Sequence, residues 1–260
     1  MTGTKKIQSD MGWSSPDKIV VRGFDLVNDL LGKLNLGDMA FLEISGRLPT
    51  AAESETFNAL LVTLVEHGLT PQAIASRLIH LSAPEALQGA VAAGLLGVGS
   101  VFAGGSEAVA RILQEAFDRK GDCLDIDAVA TEIVEDHIQR KIPVPGLGHP
   151  VHKPIDPRTP VLFAIAERNN FRGKYVRLLE AIARTAETRL SRQLPINATG
   201  AIGAILCELG FSWKICRGIA VIGRAIGLVG HVAEEMRNPI AREIWERTEN
   251  EAVSNAATSP

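Results

Sequence analysis

The stretch IAVIGRAIGLVGHV, Ile219–Val232, decides how the rest of the 260-residue chain is read. It is nearly apolar, but Arg224 interrupts it, it is rich in Gly and Ala, and it falls short of the roughly 20 apolar residues that a membrane span needs. It reads as a buried helix of a soluble protein. Ala90–Phe102, AVAAGLLGVGSVF, reads the same way. Aromatic residues make up only 5% of the chain, so Leu, Ile, Val and Ala must fill the interior, which favours close-packed helices over a β sandwich.

Helical punctuation continues outward from these runs. Val21, Phe24, Leu26, Val27, Leu30, Leu31 and Leu34 form one helical stripe, which predicts a helix over Val21–Leu34. A short helix over Leu36–Ile44 follows, stopped by Gly46-Arg47-Leu48-Pro49. Thr50 stands three residues before Glu53, a capping-box spacing ahead of Phe57–Val65, and Pro71 suits the first turn of the next helix. Ala83–Gly97, almost free of charge, is expected to be central. Helices are also expected over Ser106–Arg119, Asp125–Lys141, Pro160–Asn169, Gly173–Arg192, Gly200–Leu209, Trp213–Val229 and Pro239–Thr248, with the tail EAVSNAATSP frayed. No strand pattern is expected anywhere. The fold class is therefore all-α.

One segment breaks the pattern. IPVPGLGHPVHKPIDPRTP, residues 142–160, carries five prolines and two glycines between Pro143 and Pro157, so it is neither helix nor central strand. An ordered functional loop is expected there. Division near residues 141–158 and 195–200 gives a large helical domain, 17–140 with 200–250, and a small domain, 141–199. A cleft between two such lobes is where small ligands bind.

Charge narrows the function classes. Lys and Arg number 27 against 30 Asp and Glu, a near-balance that argues against a nucleic-acid partner. Cys123, Cys207 and Cys216 are too few and too widely spaced for a disulfide framework or a zinc site, which points to a reducing cytoplasm. The opening MTGTKKIQSD lacks the apolar region of a signal peptide. None of the six histidines forms an HExxH pair, so no metal is predicted. His149 stands out because it lies in the Gly/Pro loop with Lys153 and Arg158 close behind. Arg224 needs an anionic partner within its apolar helix, and either an internal carboxylate or a bound ligand would serve.

Seven segments in order resemble the citrate synthase family, specifically its short citryl-CoA lyase branch, from about Asp17 to Arg247. They are VRGFDLVNDL, SGRLPT, EHGLTPQAIASRL, AAGLLGVGSVFAGGSEAV, VPGLGHPVHKPIDPR, LPINATGAIGAILCELG and GRAIGLVGHVAEE. The resemblance implies the all-helical citrate synthase-like fold, with a large and a small helical domain. It implies a homodimer or higher oligomer, and coenzyme A as the acyl carrier. It also implies that His67 helps bind a dicarboxylate and that Arg158 and Arg224 clamp substrate carboxylates. His149 would engage the substrate's carbonyl or hydroxyl oxygen and move its proton. The backbone of Val144, Gly146, Leu147 and Gly148, with Lys153, corresponds to the coenzyme A cradle of the small domain.

Two positions depart from the family pattern. Phe102, or Ala103 if one residue is gapped, stands where a catalytic histidine is expected, although the lyase module of ATP-citrate lyase also has Phe-Gly-Gly there. Thr199 stands at the catalytic aspartate, and a hydroxyl cannot serve as a carboxylate base near neutral pH. Synthesis needs that aspartate to remove a proton from acetyl-CoA. Cleavage begins instead at the substrate hydroxyl, so it is the less damaged direction. The expected function is a CoA-dependent carbon–carbon lyase that cleaves citryl-CoA or a related 3-hydroxyacyl-CoA to acetyl-CoA and a 2-oxo acid such as oxaloacetate. A catalytically degenerate CoA-ester-binding protein and a CoA-ester hydrolase are the alternatives.

Overall fold

Local signals set most of the helix boundaries in the computed structural model, which describes residues 7–102, 104–121, 125–149 and 152–257. Helix α1 (Leu36–Ser45) starts on Asn35, which accepts from the Asp38 amide, and ends on Gly46 at φ +78°. Helix α2 (Ala51–Val65) begins with the predicted capping box, in which the Thr50 side chain accepts from the Glu53 amide and Glu53 accepts from the Thr50 amide. Helix α3 (Pro71–Ser82) opens on Pro71. Helices α4 (Leu87–Leu96), α5 (Gly105–Lys120), α6 (Ile126–Gln139), α7 (Arg158–Arg168), α8 (Lys174–Leu190), α9 (Ala198–Glu208), α10 (Trp213–Arg237) and α11 (Ala241–Ala257) complete the all-α body.

Four expectations change. The stripe over Val21–Leu34 is not a helix. Strands β1 (Gly12–Ser14), β2 (Ile19–Val21) and β3 (Phe24–Asp25) form a small antiparallel sheet, followed by one wide π-type turn over Leu26–Leu30. Arg22 at φ +49° and Gly23 at φ +85° reverse the chain inside the stripe, which a helix cannot accommodate. Helix α4 is not central, because it buries only Ala90 and Gly94, while Leu96 is 88% exposed. The helix buried nearly all round is α9, with Gly200 to Cys207 entirely inside. Lastly, α10 runs on to Arg237, and α11 extends through most of the tail expected to fray.

The core gathers α2, α5, α6, α8, α9 and α10, with Phe41, Phe57 and Phe211 meeting at centroid separations of 5.3–5.4 Å. Helix α10 buries one stripe, including Cys216, Ala220, Arg224, Gly227, His231 and Glu235. By length and composition it could cross a membrane, but half of its most apolar window is buried in the protein.

Its glycines let α10 lie against the end of α2. A Cβ on Gly227 would overlap the carbonyl oxygen of Val65, and one on Gly223 would stand 2.9 Å from Leu64 Cβ and 3.0 Å from Leu61 O. The Val65 oxygen is backbone and cannot yield without moving the helix. Gly227→Ala is therefore expected to lower stability by about 1–3 kcal/mol, the usual range for overpacking, as read from denaturant unfolding.

Candidate active site

Three parts of the fold meet at one cavity of about 410 Å³. The end of α2 and the following turn bring Thr63, Leu64, His67 and Thr70. Helix α10 brings Arg224. The Pro/Gly loop and the starts of α7 and α9 bring Gly148, His149, Arg158, Asn197 and Thr199, and Phe102 stands at its edge, 47% exposed. Every predicted catalytic and substrate-binding residue, namely His67, His149, Arg158, Thr199 and Arg224, thus lines this single cavity. The gapped alternative, Ala103, lies outside the described residues.

The loop is held by the segment before α9. Gly148 N donates to Pro195 O at 2.7 Å, Asn197 N to Gly146 O at 2.9 Å, and Asn197 Nδ2 to Gly148 O at 2.7 Å, while Leu147 and Ile196 form a β-bridge. Gly146 is required twice, since φ is +81° and a Cβ would fall 2.7 Å from Val109 Cγ2. Asn197 also caps α9, its Oδ1 accepting from Gly200 N and from the Thr199 hydroxyl at 2.8 Å. The Thr199 hydrogen is therefore engaged within its own turn.

Three imidazoles cluster at the cavity. His67 Nε2 and His152 Nε2 are 3.4 Å apart, and the His149 and His152 rings stack at 4.4 Å. Burial, then His152, pushes His149 below the ordinary imidazole value, and burial, then Arg158, does so for His67. Both are neutral at pH 7. The backbone N–H of His152 donates to His149 Nδ1 at 3.0 Å, so the neutral ring carries its hydrogen on Nε2. A ring in this state offers Nε2 as a donor rather than as a base. One ring nitrogen from each of His67, His149 and His152 lies within 4.8 Å of the others, close enough to share a metal ion. The two neighbouring arginines and the engaged His149 Nδ1 weigh against a cation there.

The two arginines differ. Arg158 already gives Nε and Nη2 to Asp156 at 2.9 and 2.8 Å, so only part of its guanidinium faces a ligand. Asp156, fully buried, also accepts from Ala198 N at 2.9 Å. Burial alone would raise its pKa, but Arg158 and the two amides outweigh that and hold it at about 2. Arg224 is 6% exposed, and its Nε and Nη1 have no hydrogen-bond partner among the described residues. Burial draws its pKa below the ordinary arginine value, with Glu66 pulling the other way. Of the two partners open from the sequence, no internal carboxylate bonds these atoms. The hydroxyl of Thr70, on the same cavity, is also buried and has no partner among the described residues.

A second cavity of about 500 Å³ shares Gly148 and His149 with the first. Leu147 and Lys153, two of the residues expected to form a coenzyme A cradle, line it, together with Arg192, which the sequence did not single out. Gly146 is buried and Val144 half-buried against the core, so these two shape the loop from behind. Asp156, Asn197 and His152 were also missed. Only the adjacency of Asp156 to Arg158 in DPR gave any signal.

A helical body with imidazoles and guanidiniums around one cavity, and a basic second cavity beside it, defines a receptor for an anionic small molecule. Residues 34–245 match the model of the citrate synthase C-terminal domain. The chain belongs to the citrate synthase family. It is 34% identical to the citryl-CoA lyase from Hydrogenobacter thermophilus, with a TM-score of 0.80 over 89% of this chain and 88% of that one. An ATP citrate lyase from Methanothrix soehngenii, solved in complex with citrate and coenzyme A, shares the fold with a TM-score of 0.75 at 20% identity, covering 91% of this chain and 40% of that one. Among curated relatives, ATP-citrate synthase beta chain protein 1 of Arabidopsis thaliana is 28% identical over 206 residues, 72% of this chain and 32% of its own length. The chain thus spans about a third of the length of the ATP-citrate synthase relatives it matches.

Proposed function

We propose that this protein is a CoA-dependent carbon–carbon lyase of the citryl-CoA lyase type, which cleaves citryl-CoA or a related 3-hydroxyacyl-CoA to acetyl-CoA and a 2-oxo acid such as oxaloacetate. The observation that carries the reading is the convergence of His67, His149, Arg158 and Arg224 on one cavity, with the unpaired Arg224 atoms calling for an anion. Arg224 and the remaining face of Arg158 hold the carboxylates. The His149 Nε2–H holds the hydroxyl oxygen, and a neutral imidazole of the cluster takes the hydroxyl hydrogen as the carbon–carbon bond breaks. The acetyl-CoA enolate that leaves regains a proton from water. Lys153 and Arg192, in the adjoining cavity, meet the phosphates of coenzyme A.

The test is incubation of purified protein with citryl-CoA, read by acetyl-CoA and oxaloacetate formed together. Absence of acetyl-CoA from citryl-CoA and from related hydroxyacyl-CoA esters would overturn the reading. Thr199 and Phe102 favour a second one, a CoA-ester-binding protein whose chemistry has gone, or a hydrolase. A gain of about 10²-fold or more in lyase or synthase activity in Thr199→Asp, the range for restoring a general acid–base, marks a disarmed scaffold. Free coenzyme A without carbon–carbon cleavage marks the hydrolase.

The same reading includes the two-lobe division, 17–140 with 200–250 against 141–199, and a homodimer. Exposed apolar side chains support the dimer: Leu96 at the end of α4, Val101 and Phe102 beyond it, and Ile226, Val229 and Met236 on α10 are 46–88% exposed. It also includes a cytoplasmic location. Cys207 and Cys216 are free and buried, and burial pushes the Cys216 thiol up to about 12, which suits a reducing compartment.

A further inference from the structure

Polar groups of α3 and α10 connect through Glu66 to the backbone of His67, which lines the cavity. Arg77 of α3, 1% exposed, donates Nη1 to Glu235 at 2.7 Å, Nη2 to Glu234, and Nε to His231 Nδ1 at 3.2 Å. A guanidinium has only hydrogens to offer, so His231 Nδ1 must accept, and the neutral ring then carries its hydrogen on Nε2. That Nε2 lies 3.1 and 3.0 Å from the two carboxylate oxygens of Glu66. Glu66 Oε1 in turn accepts the backbone N–H of His67 at 2.9 Å and of Gly68 at 2.6 Å.

The spacing on α10 explains how the chain reaches the site. Arg224, Gly227 and His231 share one buried stripe at helical intervals. Gly227 admits Val65 and Glu66 to the helix surface, and Arg224 and His231 flank that contact. The Glu66 side chain is 47% exposed, so without an anchor it would sample many rotamers, an entropy cost that each bond to the His67 turn would have to meet. His231 supplies the anchor. The charge of Glu66 also bears on Arg224.

We propose that Glu66 and His231 are positioning residues for His67: His231, its tautomer set by Arg77, fixes the Glu66 carboxylate, and that carboxylate fixes the backbone that carries the His67 imidazole into the cavity. The assignment of a reaction to His67 rests on the lyase reading above, but the positioning itself can be measured without it.

The experiment compares wild type with His231→Leu, which cannot donate to Glu66, and His231→Gln, whose amide can. In the citryl-CoA assay, His231→Leu is expected to lower kcat by up to about 10²-fold, the effect of a displaced catalytic group, with the larger share in kcat rather than KM, and His231→Gln to recover most of it. In parallel, NMR follows the titration of His67 and the exchange of the His67 and Gly68 amides, with Glu66→Ala as a partner variant at a half-exposed position. Faster exchange and an altered His67 titration in His231→Leu and Glu66→Ala, restored in His231→Gln, support the proposal. Unchanged exchange and titration in both variants would overturn it. Should wild type lack lyase activity, the lyase reading fails, and the NMR comparison still decides the positioning.

Discussion

His149→Ala is expected to lower citryl-CoA cleavage by about 10²–10³-fold, the range for loss of a positioned hydrogen-bond donor to a reacting oxygen. Steady-state kinetics should show the loss in kcat, because the carboxylate contacts at Arg158 and Arg224 remain. With Nδ1 accepting from the His152 amide, the neutral ring presents Nε2–H, so His149→Gln, which keeps a donor at similar reach, should fall between alanine and wild type. The acid limb follows from the same cluster. His67 and His149 are both held below the ordinary imidazole value of 6.5, and both serve as neutral rings, so activity should persist as pH falls to 6.5 and decline below it. His152 lowers both, so His152→Ala should move that limb to higher pH. Stability has the same sign: between the lowered values and 6.5 the unfolded chain binds more protons, so these groups stabilise the fold above that window and less as pH drops through it.

Asp156→Asn is expected to cost about 1–3 kcal/mol of stability and to weaken substrate binding, since the buried group loses acceptor capacity for its donors while the partly exposed Arg158 loses its partner. Asp156 is fully buried and accepts from Arg158 Nε, Nη2 and N and from Ala198 N. An asparagine can accept only part of that set, and its amide hydrogens would face donors. Denaturant unfolding reads the stability, and KM for the CoA ester reads the freed Arg158. A carboxyl held at about 2 against an ordinary 3.8 stabilises the fold above pH 3.8, and that contribution is lost as pH falls toward 2. Between pH 3.8 and 2 the unfolding free energy of Asp156→Asn should therefore vary less steeply with pH than that of wild type.

Sequence alone reached the helices whose ends carry local chemistry, such as the Thr50–Glu53 capping box, Pro71, and the stop at Gly46. It failed where tertiary context decides. The apolar spacing over Val21–Leu34 suits a helix, but a left-handed pair at Arg22 and Gly23 folds it into strands. The uncharged sequence of α4 suits a central helix, but charge says nothing about which side of a helix finds neighbours, and α9 takes that place. The site residues were legible because they sit in short motifs, and the structure brings them to one cavity. Their supports were not, because Asp156 to Ala198, and Glu66 to His231, are contacts between segments 42 and 165 residues apart. Only the fold reveals that such distant positions depend on each other.

The two arginines are held in different ways. Arg224 rides on a helix keyed into α2 at Gly223 and Gly227, where even a methyl group has no room. Arg158 opens α7, its guanidinium fixed by Asp156, whose carboxylate also ties down the start of α9. One position is set by the interlock of two helix backbones and the other by a single carboxylate. Moving Arg224 therefore means displacing a whole helix, whereas one substitution at residue 156 releases Arg158.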